Sequence, residues 1–267
     1  IVDRKDFINA MKVVIDVQAR KGRTVKFLAC IHGLDAEPHG YWNTCKTIEN
    51  VARRDDLSIS RDLVVIPVMW ANELNSKNGS ALFLIHRYLS EKKHSLAAGM
   101  ALSSIADLGG EDIPISIMCH SMGNRVLLTY AYEQERDAIT KRFEHIFMVA
   151  ADVWEEVFNT GVVSNKACHP KSDFGDAGLK LRYMLKDGGK IHILKNPGDI
   201  MLRKSVLLNG FRTRLGRFGK EGQDTRGRLH KEIKDALVDH DMGFFGSQHV
   251  YDTYQESVDI YCEQMFD

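Results

Sequence analysis

The sequence predicts a single α/β domain over residues 1–267, an open, mostly parallel sheet of about six strands with helices on both faces. Apolar runs of 6 to 8 residues, several of them β-branched, alternate with segments of helical period. That alternation is the pattern of a parallel sheet covered on both sides. No internal repeat, low-complexity tract or Pro/Ser-rich linker divides the chain, and 267 residues suffice for one large core.

Taken in order, "DFINAMKVVIDVQA" (6–19) places Phe7, Met11, Val14, Ile15 and Gln18 on one helical stripe, so residues 1–23 read as an N-terminal helix ahead of the core. "TVKFLACIHG" (24–33) is a buried strand ended by glycine, "YWNTCKTIENVARR" (41–54) a helix, and "DLVVIPVMW" (62–70) a second strand. A polar loop leads into residues 81–108, read as one long helix or two short ones with a break at Gly99. "IPISIMC" (113–119) is the third strand, and the helix after Ser121 runs to about Arg136. "HIFMVAAD" (145–152) and "GKIHILKNPGD" (189–199) are the fourth and fifth strands, "DALVDHD" (235–241) a weaker sixth. "VYDTYQESVDIYCEQM" (250–265) closes the chain as an amphipathic helix.

Composition excludes several classes. Lys+Arg and Asp+Glu balance at 36 each, so no global field draws the chain to nucleic acid or to a membrane. No apolar run nears the roughly 18 residues of a membrane span, and stable insertion is not expected. Five cysteines (30, 45, 119, 168 and 262) lack CxxC or other metal-ligand spacing, which argues for a reducing compartment rather than a disulfide framework. "IVDRKDF" resembles neither a signal nor a transit peptide. A removed leader aside, cytoplasm is the expected location, with no cofactor.

In open sheets of this kind reactive groups gather beyond the carboxyl ends of the strands. That rule selects His32 and Gly33, Trp70, Ser121, Asp152, Asp199, and the stretch His240 to His249. Within "CHSMG", Ser121 stands between strand and helix, with Cys119 two before and Gly123 two after. Small residues there let the turn close tightly and expose the hydroxyl, as in a nucleophile elbow, with His120 inside the turn. The Met122 N–H then points to where an oxyanion would form, and the positive end of the helix adds to it. Cys119 replaces the usual first glycine. The competing reading is that Ser121 caps the helix.

The chain resembles the α/β-hydrolases, and more narrowly the bacterial α/β-hydrolases gathered under a domain of unknown function. The residues that carry this are "IHGLD" (31–35), "HSMGNRVL" (120–127), "AADVWEEVF" (Ala150 to Phe158), "DIMLRKS" (199–205), "RLG" (214–216) and "QHVYD" (248–252). The resemblance implies Ser-His-Asp chemistry on a small-molecule carboxylic ester through an acyl-enzyme, with oxyanion donors on Leu34 and Met122. A lipase, thioesterase or acyltransferase with the same triad, and a non-catalytic binding scaffold, are the alternatives.

Asp199, aimed by the Pro197-Gly198 turn, leads as the acid and Asp152, after the fourth strand, is the alternative. Either could instead cap the helix that follows it. His249 leads as the base and His240 is its alternative. His120 and His32 are read as supporting residues. His32, His120, Asp152 and His249 could also converge on a metal, but no HExxH or paired spacing exists, and no metal is expected.

Three features remain. Pro67 lacks a ladder donor and belongs on an edge strand. With only a helix ahead of residue 24, the second strand is expected at the sheet's edge, its proline nitrogen on the unpaired side, in the spatial order second, first, third, fourth, fifth, sixth. Residues 152–188 read as a small flap, with Trp154, Val157, Phe158 and Phe174 as candidate acyl-pocket walls. Residues 203–234 read as a basic, glycine-containing, solvated excursion, or as a device that steers an anionic substrate or partner.

Overall fold

A computed structural model describes residues 4–34, 36–54, 61–70, 113–135, 139–159, 176–209, 211, 213–220, 229 and 231–266, with scattered residues between 88 and 102. Its strands are β1 (Thr24–Ile31), β2 (Arg61–Val68), β3 (Ile115–His120), β4 (Phe143–Val149), β5 (Leu185–Lys195) and β6 (Leu237–Asp241). They form one sheet in the order β2-β1-β3-β4-β5-β6, every neighbouring pair parallel. The helices are α1 (Arg4–Ala19), α2 (Pro38–Arg54), α3 (Gly123–Glu133), α4 (Ala177–Met184), α5 (Ile200–Leu208), α6 (Leu215–Phe218), α7 (Lys231–Lys234) and α8 (Gln255–Phe266).

Side chains alternate between the two faces of a strand, and two apolar layers result. Phe27, Ala29, Ile31, Ile117 and Ile193 pack towards α1, α3 and α4. Leu28, Cys30, Met118, Phe147 and Leu194 pack towards α2 and α8. β3, covered on both sides, is buried at every position.

β2 lies at the edge. The Val65 N–H donates to the Glu49 carboxylate at 2.9 Å. Two residues on, on the same side of the strand, Pro67 therefore sets its nitrogen along the unpaired edge, where no donor is missed.

Some expectations need correcting. β5 starts at Leu185, ahead of the glycines, because the ladder with β4 continues past an irregularity between Phe143 and His145. The 81–108 helix lies mostly outside the described residues, although Tyr88 and Leu102 are buried in the core. Of the flap, residues 160–175, Phe174 among them, lie outside as well. Trp154, Val157 and Phe158 are buried, and Val157 and Phe158 lie directly against Gly178 of α4.

The basic stretch is not uniformly solvated. Arg214 is fully buried, and its Nε lies 3.2 Å from the Asp152 carboxylate. Gly216 presses onto the Ala150 and Ala151 backbone, where a Cβ would fall 2.2 Å from the Ala151 nitrogen. Close approach, rather than mobility, explains that glycine. Among the described residues no helix is long and apolar enough to cross a membrane.

Candidate active site

β3 delivers Ser121 into a turn that only a strained backbone can make, with φ at +50°. Such strain costs on the order of 1–3 kcal/mol and persists only where neighbours enforce it. Here they do. The Ser121 N–H donates to Val149 O at 2.9 Å, and Ser121 O accepts from Asp152 N–H at 3.3 Å. Asn124 Nδ2 donates to Cys119 O at 2.9 Å and to Ser121 O at 3.0 Å, clamping both sides of the bend.

Two glycines make the geometry affordable. A Cβ on Gly123 would lie 2.6 Å from Ile31 O, and one on Gly33 would lie 2.8 Å from the Ser121 Cβ. The helix therefore meets β1 closely and the β1 loop lies against the serine. The capping alternative fails, because α3 starts at Gly123 with Met122 at its N-cap and no side-chain cap.

Three side chains from separate loops meet at this point. His249 Nε2 lies 2.9 Å from Ser121 Oγ, and His249 Nδ1 lies 2.7 Å from Asp199 Oδ2. A carboxylate only accepts. The proton on the imidazole is therefore on Nδ1, and Nε2 is free to accept from the serine hydroxyl. Asp199 is fully buried and also accepts the Leu202 N–H at 2.9 Å through Oδ1. It caps α5 and orients His249 at once, so the two readings of this residue coexist. Such an arrangement can move a proton from a hydroxyl to an imidazole while a carboxylate steadies the charge.

The backbone behind His249 is tethered twice. Asn196 Nδ2 donates to Gln248 O at 2.8 Å, and His120 Nε2–H donates to His249 O at 3.1 Å. Burial pushes the His120 imidazole below its ordinary pKa, which keeps it neutral. Tyr251 hydroxyl accepts the Ala150 N–H at 3.1 Å and donates to Leu194 O at 2.8 Å, locking the ends of β4 and β5. Asn124, Asn196 and Tyr251 were missed in the sequence. Asn124 carried a signal as the asparagine of "HSMGNR", and Tyr251 as the aromatic of "QHVYD".

The remaining candidates are engaged elsewhere. Asp152 binds Arg214, the Tyr88 hydroxyl at 2.7 Å and the Ser205 hydroxyl. Burial alone would raise its carboxyl pKa, but Arg214, Arg125 and these hydroxyls outweigh it and hold the group below its ordinary value. His240 Nε2 lies 3.1 Å from His192 Nδ1, in a chain that continues to His145. His32 donates from Nδ1 to Gly33 O at 2.7 Å and accepts the Trp70 N–H at 3.1 Å. With both ring nitrogens used and Trp70 stacked on its face, it shapes the loop that carries Leu34.

Among the described residues no group of three or more His, Cys, Asp or Glu is arranged to hold a metal ion. Neither the Leu34 nor the Met122 N–H is taken by a backbone acceptor outside the regular elements, among the described residues.

The family model described as "Alpha/beta hydrolase of unknown function (DUF900)" matches residues 39–245. No curated protein matches the chain. Among solved structures it is similar to Zea mays acyl-protein thioesterase 2, at 10% identity over 92% of this chain and 96% of that one, with a TM-score of 0.47. It is also similar to a fungal esterase from Rhizomucor miehei (12% identity, 91% and 74% covered, TM-score 0.46). A third is a poly(3-hydroxybutyrate) depolymerase from Bordetella parapertussis (13% identity, 92% and 80% covered, TM-score 0.45).

Proposed function

The chain belongs to the alpha/beta hydrolases of unknown function, and on that footing we propose that it cleaves small-molecule carboxylic esters with Ser121 as nucleophile. The observation that carries this reading is His249 bridging Ser121 at 2.9 Å and Asp199 at 2.7 Å.

Ser121 Oγ attacks the ester carbonyl carbon while His249 Nε2 takes the hydroxyl proton. The carbonyl electron pair moves onto oxygen, which receives hydrogen bonds from the Leu34 and Met122 N–H groups. Each such donor is worth about 3 kcal/mol of transition-state stabilisation. As the tetrahedral centre collapses, the alkoxy group leaves with the proton from His249 Nε2, and Ser121 remains acylated. Water then attacks the acyl carbon, giving its proton to His249. The bond to Ser121 Oγ breaks, Oγ takes that proton back from His249 Nε2, and the carboxylic acid is released. Throughout, the buried Asp199 carboxylate keeps the imidazole in the Nδ1–H tautomer and stabilises the transient imidazolium.

Hydrolysis of p-nitrophenyl butyrate tests the reading. Ser121→Ala is expected to lose roughly 10⁴-fold or more in kcat with an unchanged thermal melt. Turnover by the variant at the native rate would refute the assignment.

A further inference from the structure

The rim of the site carries an unusual mixture of side chains. α5 turns Leu202 and Ser205 inwards and shows solvent the face formed by Ile200, Arg203, Lys204 and Leu207, with Met201 at its border. Across a seam from it runs the loop that ends in His249. The Pro197 ring abuts Gly243, the Gly246 carbonyl closes on Gly198, and the Ile200 N–H reaches Ser247 O at 3.4 Å. That seam brings the loop that carries Phe244 and Val250 to the start of α5. The five apolar side chains range from 45% exposed (Met201) to 64% exposed (Phe244); Ile200, Met201 and Leu207 lie on the helix that follows Asp199, and Phe244 and Val250 in the loop on either side of His249. Large apolar groups gathered in water at one rim mark an interaction surface.

Cations are set among them. Arg217 donates from Nε and Nη2 to Pro197 O at 3.2 and 3.0 Å, in the middle of the seam. It lies near enough to Arg203 for the two charges to repel. Among the described residues no carboxylate pairs with Arg203, Lys204 or Arg217. Of the nearby acids, Asp199 is buried against His249 and acts favourably on Arg217, and Asp241 accepts the Gly243 N–H at 2.8 Å while keeping its charge. Arg203, Lys204 and Arg217 still outnumber Asp199 and Asp241, so the rim keeps a small positive excess in a chain whose formal net charge is zero.

We infer that this rim docks on an anionic lipid surface, with the apolar side chains entering the boundary between headgroups and acyl chains and the cations meeting lipid phosphates. Interleaved cations and apolar groups on one helix face, continued by a loop tip, match what such a surface offers. Docking sets the mouth at Ser121 against the layer into which long-chain acyl esters partition, a consequence that rests on the hydrolase reading above. The docking itself does not depend on it.

Co-sedimentation of the intact protein with vesicles tests this, using phosphatidylcholine alone and an equal mixture with phosphatidylglycerol. Binding is expected to the mixed vesicles at low salt, to weaken as salt screens it, and to be much weaker on phosphatidylcholine. Arg203→Gln and Lys204→Gln are each expected to lower partitioning about fivefold, and Phe244→Ser to lower it as well. None of the three should alter turnover of monomeric p-nitrophenyl butyrate. Ser121→Ala should bind vesicles like the native protein, which separates failure of docking from failure of the hydrolase reading. No binding to the mixed vesicles, equal binding to both, or insensitivity to these substitutions would overturn the inference. So would a dimer that Phe244→Ser dissociates while vesicles bind nothing, since the rim would then join two copies of the chain.

Discussion

Mild acid should weaken this protein through the β4-β5-β6 end of its sheet before its carboxylates protonate. His192 on β5 lies between His145 of β4 and His240 of β6, each ring nitrogen 3.1 Å from its neighbour's. Phe147 stacks on the ring with centroids 4.8 Å apart, and none of His192 is exposed. Burial, and then the charges of His145, His240 and Lys190, push its pKa from 6.5 down to about 3. The unfolded chain takes up a proton near pH 6.5 that the folded chain refuses until about pH 3, so stability falls as pH drops through that window. At about 1.4 kcal/mol per pH unit the loss exceeds about 3 kcal/mol by pH 4.

His145 and His240 are also lowered, chiefly by burial, and push in the same direction, partly offset by Glu144 and Asp239. Asp152, held below 3.8, contributes a loss only at more acidic pH. His192→Phe keeps the aromatic stack and cannot titrate. Urea unfolding measured from pH 7 to pH 4 should show a steep decline for the native protein and a slope shallower by about 1 kcal/mol per pH unit for the variant. Parallel slopes would refute the reasoning.

Two further outcomes follow from the buried polar contacts. Asn124→Ala removes the clamp on Cys119 O and Ser121 O, and should cost about 1–3 kcal/mol in urea unfolding. It should also lower ester turnover, because the +50° backbone at Ser121 loses a support; native stability and rate would contradict this. Arg214→Met strips a buried partner from Asp152 and should cost about 3–5 kcal/mol. Adding Asp152→Asn should recover part of that in thermal melts, and an additive loss would count against the pairing.

Much of this was legible in the sequence because it depends on short-range chemistry. Unbroken apolar runs marked the strands, and Pro67 marked an edge because a missing donor is tolerated in few places. Ser121 stood out because a strand, a tight turn with small flanking residues and a helix follow one another there, although the same pattern suits a helix cap. The turn at Pro197 and Gly198 pointed to Asp199 in the same way.

What stayed hidden depends on contacts distant in the chain. Arg214 reads as one more cation in a basic stretch until the fold brings it to Asp152, 62 residues earlier by number. His120 and Asn196 look like turn residues, and their bonds to the backbone at His249 and Gln248 arise only when the last loop folds over them. The start of β5 was misplaced because its glycines resemble a strand boundary, whereas pairing with β4 extends past them to Leu185.

The most direct test of the central claim is covalent labelling with a fluorophosphonate, followed by mass mapping of the adduct. The account predicts rapid modification of Ser121 alone in the native protein, and a rate lowered by orders of magnitude in His249→Ala. An unlabelled Ser121, or one that reacts equally fast without His249, would contradict it.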